Sequence, residues 1–167
     1  TPVISSHPGN QTVCVGVAAS FSVTATGVTS YQWRKNTSNI TGATSSTFSI
    51  SSTALADAGS YDVVLTNSCG STTSNPATLT VNTTPVITGQ PSNQTVCAGA
   101  SATFTVTATG ATSYQWRKGS SNIGGATSAS YTIPTTVVGD AGNYDVVITN
   151  GCGSTTSNTV TLTVNTT

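Results

Sequence analysis

Apolar and polar residues alternate with a period of two through most of this chain. Phe21, Val23 and Ala25 alternate with Ser22 and Thr24, Tyr31 and Trp33 flank Gln32, and Phe48 and Ile50 flank Ser49. Tyr61, Val63 and Leu65 follow the same beat, as do Ala77, Leu79 and Val81. Successive side chains of a strand point to opposite faces, so each run predicts a strand that is apolar on one side. Such strands must bury that side against a second sheet. Turn signals fall at Gly16, Gly27, Asn39, Gly42, Gly59 and Gly70. They divide the first half of the chain into about seven short strands, the number in a constant-type sandwich.

The pattern occurs twice. Shifted by 83 residues, the sequence matches itself without a gap: Thr1-Pro2-Val3-Ile4 returns as Thr84-Pro85-Val86-Ile87, and Tyr31-Gln32-Trp33-Arg34-Lys35 as Tyr114-Gln115-Trp116-Arg117-Lys118. About two-thirds of the positions are identical. The expected organisation is two domains, 1–83 and 84–166, arranged head to tail. Thr167 then corresponds to Thr1 and Thr84, and the expectation is a longer array that continues in both directions.

Composition sharpens the all-β expectation. Charged residues make up 5% of the 167-residue chain, there is no Glu or Met, and Ser and Thr exceed a third of all residues. Thr suits a pleated, half-exposed surface, and the strong helix formers are nearly missing. The formal net charge is zero, with no stripe of Lys and Arg, so nucleic acid is not an expected partner. No apolar run approaches the ~20 residues of a spanning helix, so membrane insertion of this segment is not expected. Paired cysteines in so polar a chain point to an oxidising, extracellular or cell-surface setting.

Trp33 lies ten residues after Val23, and Asp57-Ala58-Gly59-Ser60-Tyr61-Asp62-Val63 follows the Asp-x-Gly-x-Tyr-x-Cys pattern of immunoglobulin domains. Each repeat resembles a bacterial immunoglobulin-like domain of the kind found in long surface proteins of the Bacteroidetes, and the resemblance covers both repeats end to end. It implies strand A over 2–13, B over 19–26, C over 31–35, E near 47–51, F over 61–67 and G over 72–81. Trp33 and Trp116 become the core tryptophans, Tyr61 and Tyr144 the tyrosine corners, and Asp57 fixes the E–F turn through its backbone. The chain departs from the pattern where the inter-sheet disulfide normally sits. Val23 and Val63 occupy those positions, and Val106 and Val146 in the second repeat, so packing of the tryptophan against valines is expected to replace the bridge.

The four cysteines are Cys14, Cys69, Cys97 and Cys152. With the implied strands, Cys14 lies at the A–B turn and Cys69 at the F–G turn, opposite ends of one repeat. The expected bridge is Cys14–Cys152 between the repeats, with Cys69 and Cys97 bonded to neighbouring repeats. Bridges within each repeat, Cys14–Cys69 and Cys97–Cys152, remain open, as do free thiols or a metal. A zinc site wants four ligands, and two cysteines with no nearby histidine do not supply them.

Catalytic chemistry is sparse. His7 is the one histidine and Gln90 stands at its position in the second repeat, which argues against a general base. Asp57 and Asp62 are the candidate paired carboxylates of the first repeat; Asp57 is expected at a turn and Asp62 in a surface ion pair with Arg34. Asp140 and Asp145 repeat them and form no calcium loop. Gly124-Gly125 reads as a turn. The segment 51–56, against 134–139, is the most divergent and reads as unconstrained. Asn-x-Ser/Thr triplets such as Asn10-Gln11-Thr12 and Asn93-Gln94-Thr95 read as chance in so Thr-rich a chain. No cofactor or metal is expected, and the chain reads as a non-enzymatic structural module of an extracellular fibre, filament or stalk. Its partners are neighbouring immunoglobulin-like repeats, with lateral self-association. The alternative is an adhesive or carbohydrate-binding module, contacting through 66–70, or a spacer in a secreted multidomain enzyme.

Overall fold

A computed structural model describes residues 1–166; Thr167, on which the expectation of a further repeat fell, lies outside the described residues. The chain divides into two compact units, Thr1–Asn82 and Thr83–Thr167. In the first, β1 is Val3–Ser6, β2 Gln11–Cys14, β3 Ala19–Ser22, β4 Thr24–Thr26, β5 Ser30–Lys35 and β6 Ser38–Asn39. Then come β7 Thr47–Ile50, a 3₁₀ turn Leu55–Asp57, β8 Gly59–Asn67, β9 Gly70–Thr73 and β10 Ala77–Asn82. The second repeats the order as β11 Val86–Gly89, β12 Gln94–Cys97, β13 Ala102–Thr105, β14 Thr107–Thr109, β15 Ser113–Lys118 and β16 Ser121–Asn122. It ends with β17 Ser130–Ile133, a 3₁₀ turn Val138–Asp140, β18 Gly142–Asn150, β19 Gly153–Thr156 and β20 Val160–Asn165.

One sheet of the first unit has the order β2-β10-β8-β5-β6, with β9 also paired to β8. The opposing layer consists of β1 on β4 and β3 on β7. This differs from the constant-type arrangement: among the described residues no strand borders β7 on its outer side, and a two-residue strand follows β5. Residues 41–46 carry no alternating pattern and form turns and loop instead. Asn39, expected at a turn, lies in β6; the turn is Asn36-Thr37, with φ of 47° and 70°. Two successive positive φ values match the twist of a two-residue hairpin, but they strain the β-branched Thr37.

The implied strand A is two strands in different layers. β1 pairs antiparallel with β4, whereas β2 pairs parallel with β10, from Leu79↔Gln11 to Asn82↔Cys14. The chain changes layer at the buried Pro8, which has no N–H to leave unpaired. Side chains tie down the crossing: Asn10 Oδ1 accepts the Thr78 N–H at 2.8 Å, and His7 Nδ1 accepts the Asn75 N–H at 3.0 Å. The implied strand G is likewise broken between β9 and β10. There the buried Ser74 hydroxyl accepts the Val63 N–H at 3.1 Å and donates to Asn75 O at 3.0 Å.

Each core lies between the two layers. Trp33, Val63 and Leu65 are 0% exposed, and Phe21, Tyr61 and Leu79 are 1% exposed. Val23 is buried with them. The rings around Trp33 are Phe21 and Phe48, at centroid distances of 6.3 and 6.2 Å, and Phe21 stacks on Tyr61 at 4.9 Å. Trp33 Nε1 donates to Ser45 O at 2.9 Å, so the indole buries its apolar body without stranding its polar atom. Val23 and Val63, at the positions of the missing disulfide, thus share one buried core with an aromatic cluster. In the second unit Trp116, Tyr144, Val106 and Val146 are buried around Phe104, with Trp116 Nε1 on Ser128 O at 2.9 Å.

Candidate functional site

The side chains with chemical potential are four cysteines, His7, four aspartates and their basic partners. Each cysteine sits at the end of a unit. Cys14 closes β2, level with Asn82 at the end of β10. Because Leu79 of β10 faces Gly59 of β8, that end lies just beyond the start of β8. Cys69 lies past the other end of β8, in the two-residue turn Ser68-Cys69. The 9 residues of β8 separate them, roughly 30 Å at the rise of a strand, against the ~7 Å reach of a disulfide. Cys97 and Cys152 stand at the matching ends of the second unit.

Cys14 and Cys152 are both disulfide-bonded, whereas Cys69 and Cys97 are exposed free thiols. Bridges within a repeat do not form, since Cys14–Cys69 and Cys97–Cys152 would each need one of those free thiols. Among the described residues, no group of three or more His, Cys, Asp or Glu could hold a metal ion.

The backbone holds both kinds of cysteine in place. Gly16, at φ 86°, turns the chain after Cys14, and its N–H donates to Thr53 O at 2.7 Å. The Thr53 hydroxyl contacts Cys14 O at 3.1 Å and Val17 O at 2.8 Å. Thr136 repeats this at Cys97 O and Ala100 O, at 3.2 and 2.9 Å. The segments 51–56 and 134–139, expected to be unconstrained, therefore each contain a buried anchor. The available signal was that Thr53 and Thr136 match at the 83-residue offset while most of their neighbours differ. At the other end Asn67 Oδ1 accepts the Cys69 N–H at 2.9 Å, and Asn67 Nδ2 donates to Gly27 O at 2.7 Å. Asn150 does the same for Cys152 and Gly110, at 2.8 Å each. These asparagines were missed in the sequence because nothing distinguishes them from other turn asparagines.

The aspartates, arginines, lysines and His7 all have structural partners. Asp57 Oδ2 accepts the Ala54 N–H at 2.8 Å, and the Tyr61 hydroxyl donates to Asp57 O at 2.6 Å. The Lys35 ammonium reaches Ala56 O and lies 5.9 Å above the Tyr61 ring centroid. Burial raises the Tyr61 phenol above its ordinary range, and the Asp57 charge adds to this. Burial, then Tyr131 and Asp140, push Tyr144 up to about 12. Arg34 faces Asp62 across β5 and β8 and holds both its oxygens at 2.7 Å. That hydrogen bond raises the Arg34 pKa against the opposing effect of burial. The pair is less open than the expected surface ion pair, with side chains 24% and 16% exposed. Arg117 and Asp145 repeat it at 2.7 Å. Gln90 Oε1 accepts the Asn158 N–H at 2.9 Å, the bond that His7 makes to Asn75, so position 7 serves as a backbone acceptor.

The family described as "Immunoglobulin domain" matches residues 1–67, and one described as "Domain of unknown function" matches 88–166. "Endoglucanase C" of Cellulomonas fimi is 32% identical over 167 residues, covering 92% of this chain and 15% of that protein. "Highly immunogenic outer capsid protein" of Enterobacteria phage T4 is 38% identical over 127 residues, covering 65% of this chain and 32% of that protein. The chain thus spans less than a third of the length of either relative. Among solved structures, an I-band fragment of titin superposes with a TM-score of 0.82 at 19% identity, covering 99% of this chain and 66% of that one. Among the described residues no helix is long and apolar enough to cross a membrane. By fold, the chain is a tandem of two immunoglobulin-like β-sandwich domains.

Proposed function

We propose that this chain is a non-catalytic structural module, a pair of rigid beads in an extracellular array, with the beads stapled by a Cys14–Cys152 disulfide. One observation carries the reading. Every charged or imidazole side chain that could do chemistry is engaged in a structural bond, and the bond recurs at the equivalent position of the other unit. Asp57 and Asp140 cap the turn before β8 and β18, Arg34–Asp62 and Arg117–Asp145 clip neighbouring strands, and His7 and Gln90 accept the same backbone N–H. Each of these groups therefore has a structural reason for its place, repeated in both units, that needs no appeal to catalysis.

The staple is supported by the two disulfide-bonded cysteines being one from each end type, one in each unit. It would suppress the hinge bending that small inter-domain contacts otherwise permit. The relatives favour an extracellular setting, in a polysaccharide-degrading enzyme and on a virus exterior, where such modules would act as spacers. Bacterial surface stalks of the Bacteroidetes kind are the same use of the fold. Neighbouring repeats are the partners, and the near absence of charge lets chains lie side by side without repulsion.

Two measurements test the reading. Trypsin without reduction should release one species joining residues 1–34 to 119–167; separate peptides would remove the staple. Incubation with insoluble cellulose should leave the chain in the supernatant like a non-binding control. Saturable retention would replace the spacer with the carbohydrate-binding alternative.

A further inference from the structure

The repeat makes each free cysteine the counterpart of a bonded one. Cys97 is Cys14 moved by one period (97 − 14 = 83), and Cys152 is Cys69 moved likewise (152 − 69 = 83). The surroundings are equivalent too. Thr136 holds Cys97 O as Thr53 holds Cys14 O, and Asn67 receives the Cys69 N–H as Asn150 receives that of Cys152. The free thiols therefore stand in settings whose twins already carry a disulfide.

We propose that Cys97 and Cys69 are the open sockets of a propagating disulfide ladder, and that the partner for each is a further copy of this same chain. Cys97 bonds Cys69 of the next copy, so copies join end to end in one polarity. The inference rests on the Cys14–Cys152 staple, of which it is the translation by one repeat.

The bond needs an electron acceptor, supplied by a small disulfide such as oxidised glutathione. The Cys97 thiolate attacks it, forms a mixed disulfide and expels one glutathione thiolate. Cys69 of the second copy, as thiolate, then attacks the Cys97 sulfur, expels the second glutathione and closes the protein–protein bond. Two protein thiols are oxidised and one glutathione disulfide is reduced to two thiols.

The test uses Cys69→Ser and Cys97→Ser, which leave both cores and the other cysteines untouched. Each variant, and their equimolar mixture, is equilibrated in a glutathione redox buffer, blocked with iodoacetamide and run without reductant. The expected result is a multimer ladder for the original chain, monomer for each variant alone, and dimer for the mixture. Chymotrypsin, cutting after Leu65, Leu79 and Phe104, should join fragment 66–79 to 80–104. Equal dimer in the single variants would mean indiscriminate oxidation and overturn the proposal, as would monomer in every sample. Trypsin mapping of the same samples separates the two ideas. An intact link between 1–34 and 119–167 with no intermolecular bond refutes the ladder alone; loss of that link in untreated protein refutes the staple beneath it.

Discussion

Pulling the chain from its two ends gives the most discriminating readout of a Cys14–Cys152 bond. With the bond closed, tension enters through residues 1–14, crosses the sulfurs and leaves through 152–167. The residues in between, 15 to 151, carry no load, whatever their cores do. Opening the bond releases them, and the 138 residue-to-residue steps (152 − 14 = 138) at ~3.5 Å each add ~480 Å of contour length. Closing so long a loop also removes entropy from the unfolded chain, worth about 5 kcal/mol. The assay is single-molecule extension at constant force, in oxidising buffer and again after a phosphine reductant. Oxidised molecules should yield only the short end segments, and reduced ones the additional ~480 Å in unfolding steps of the two cores. A Cys14→Ser variant should behave as reduced in both buffers. Equal extension of the original chain with and without reductant would refute the reasoning, because no other covalent link could hide those residues.

Three further outcomes follow from local geometry. Gly59→Ala should destabilise the first unit by about 2 kcal/mol, since φ is 155° and a Cβ would sit 2.9 Å from Asn36 Oδ1. Gly142→Ala, whose nearest obstacle is the flexible Lys118 Cε at 3.2 Å, should cost less; equal losses by calorimetry would contradict this. Thr37→Gly should stabilise the first unit by about 1 kcal/mol in denaturant titration, by relieving a β-branched residue at φ 70°. Stability should also fall in strong base. Tyr144 binds its proton more tightly folded than unfolded, so its contribution is complete below about pH 10. It is lost as the pH climbs toward about 12. Urea midpoints at both ends of that window should differ for the original chain and differ less for Tyr144→Phe.

Legibility in the sequence followed how directly a position obeys a one-face rule. Phe21, Trp33, Tyr61 and Leu79 alternate with polar neighbours, and all are buried. The Asp57–Tyr61 corner was legible through the resemblance of Asp57-Ala58-Gly59-Ser60-Tyr61 to the immunoglobulin pattern; in the structure the phenol donates to the Asp57 backbone carbonyl while the carboxylate accepts the Ala54 N–H. The split of the first strand was hidden because β1 and β2 keep compatible patterns. What divides them is a Pro8 kink and two side-chain bonds, Asn10 to Thr78 of β10 and His7 to Asn75 just before it, each reaching 68 residues along the chain. Ser74 was opaque for a related reason: a small hydroxyl inside a polar run reads as surface until its two backbone partners are known. Thr53 was overlooked because divergence around it masked a position whose job is set by its hydroxyl. The free state of Cys69 and Cys97 is not a property of spacing, since the bonded cysteines stand at the same repeat positions in nearly the same local sequence.

The parallel pairing of β2 with β10 bears on how one bead would yield once its thiols are reduced. Its incoming chain tugs β2 backwards while its outgoing chain tugs β10 forwards, so the two slide past each other along their common axis. The rungs from Gln11–Leu79 to Cys14–Asn82 are then strained together, as the teeth of two combs drawn apart lengthwise. A hairpin pulled from its open end gives way one rung at a time at low tension. This clasp must surrender its rungs as a set, a brittle and force-resistant failure in a domain that has no covalent pin through its core.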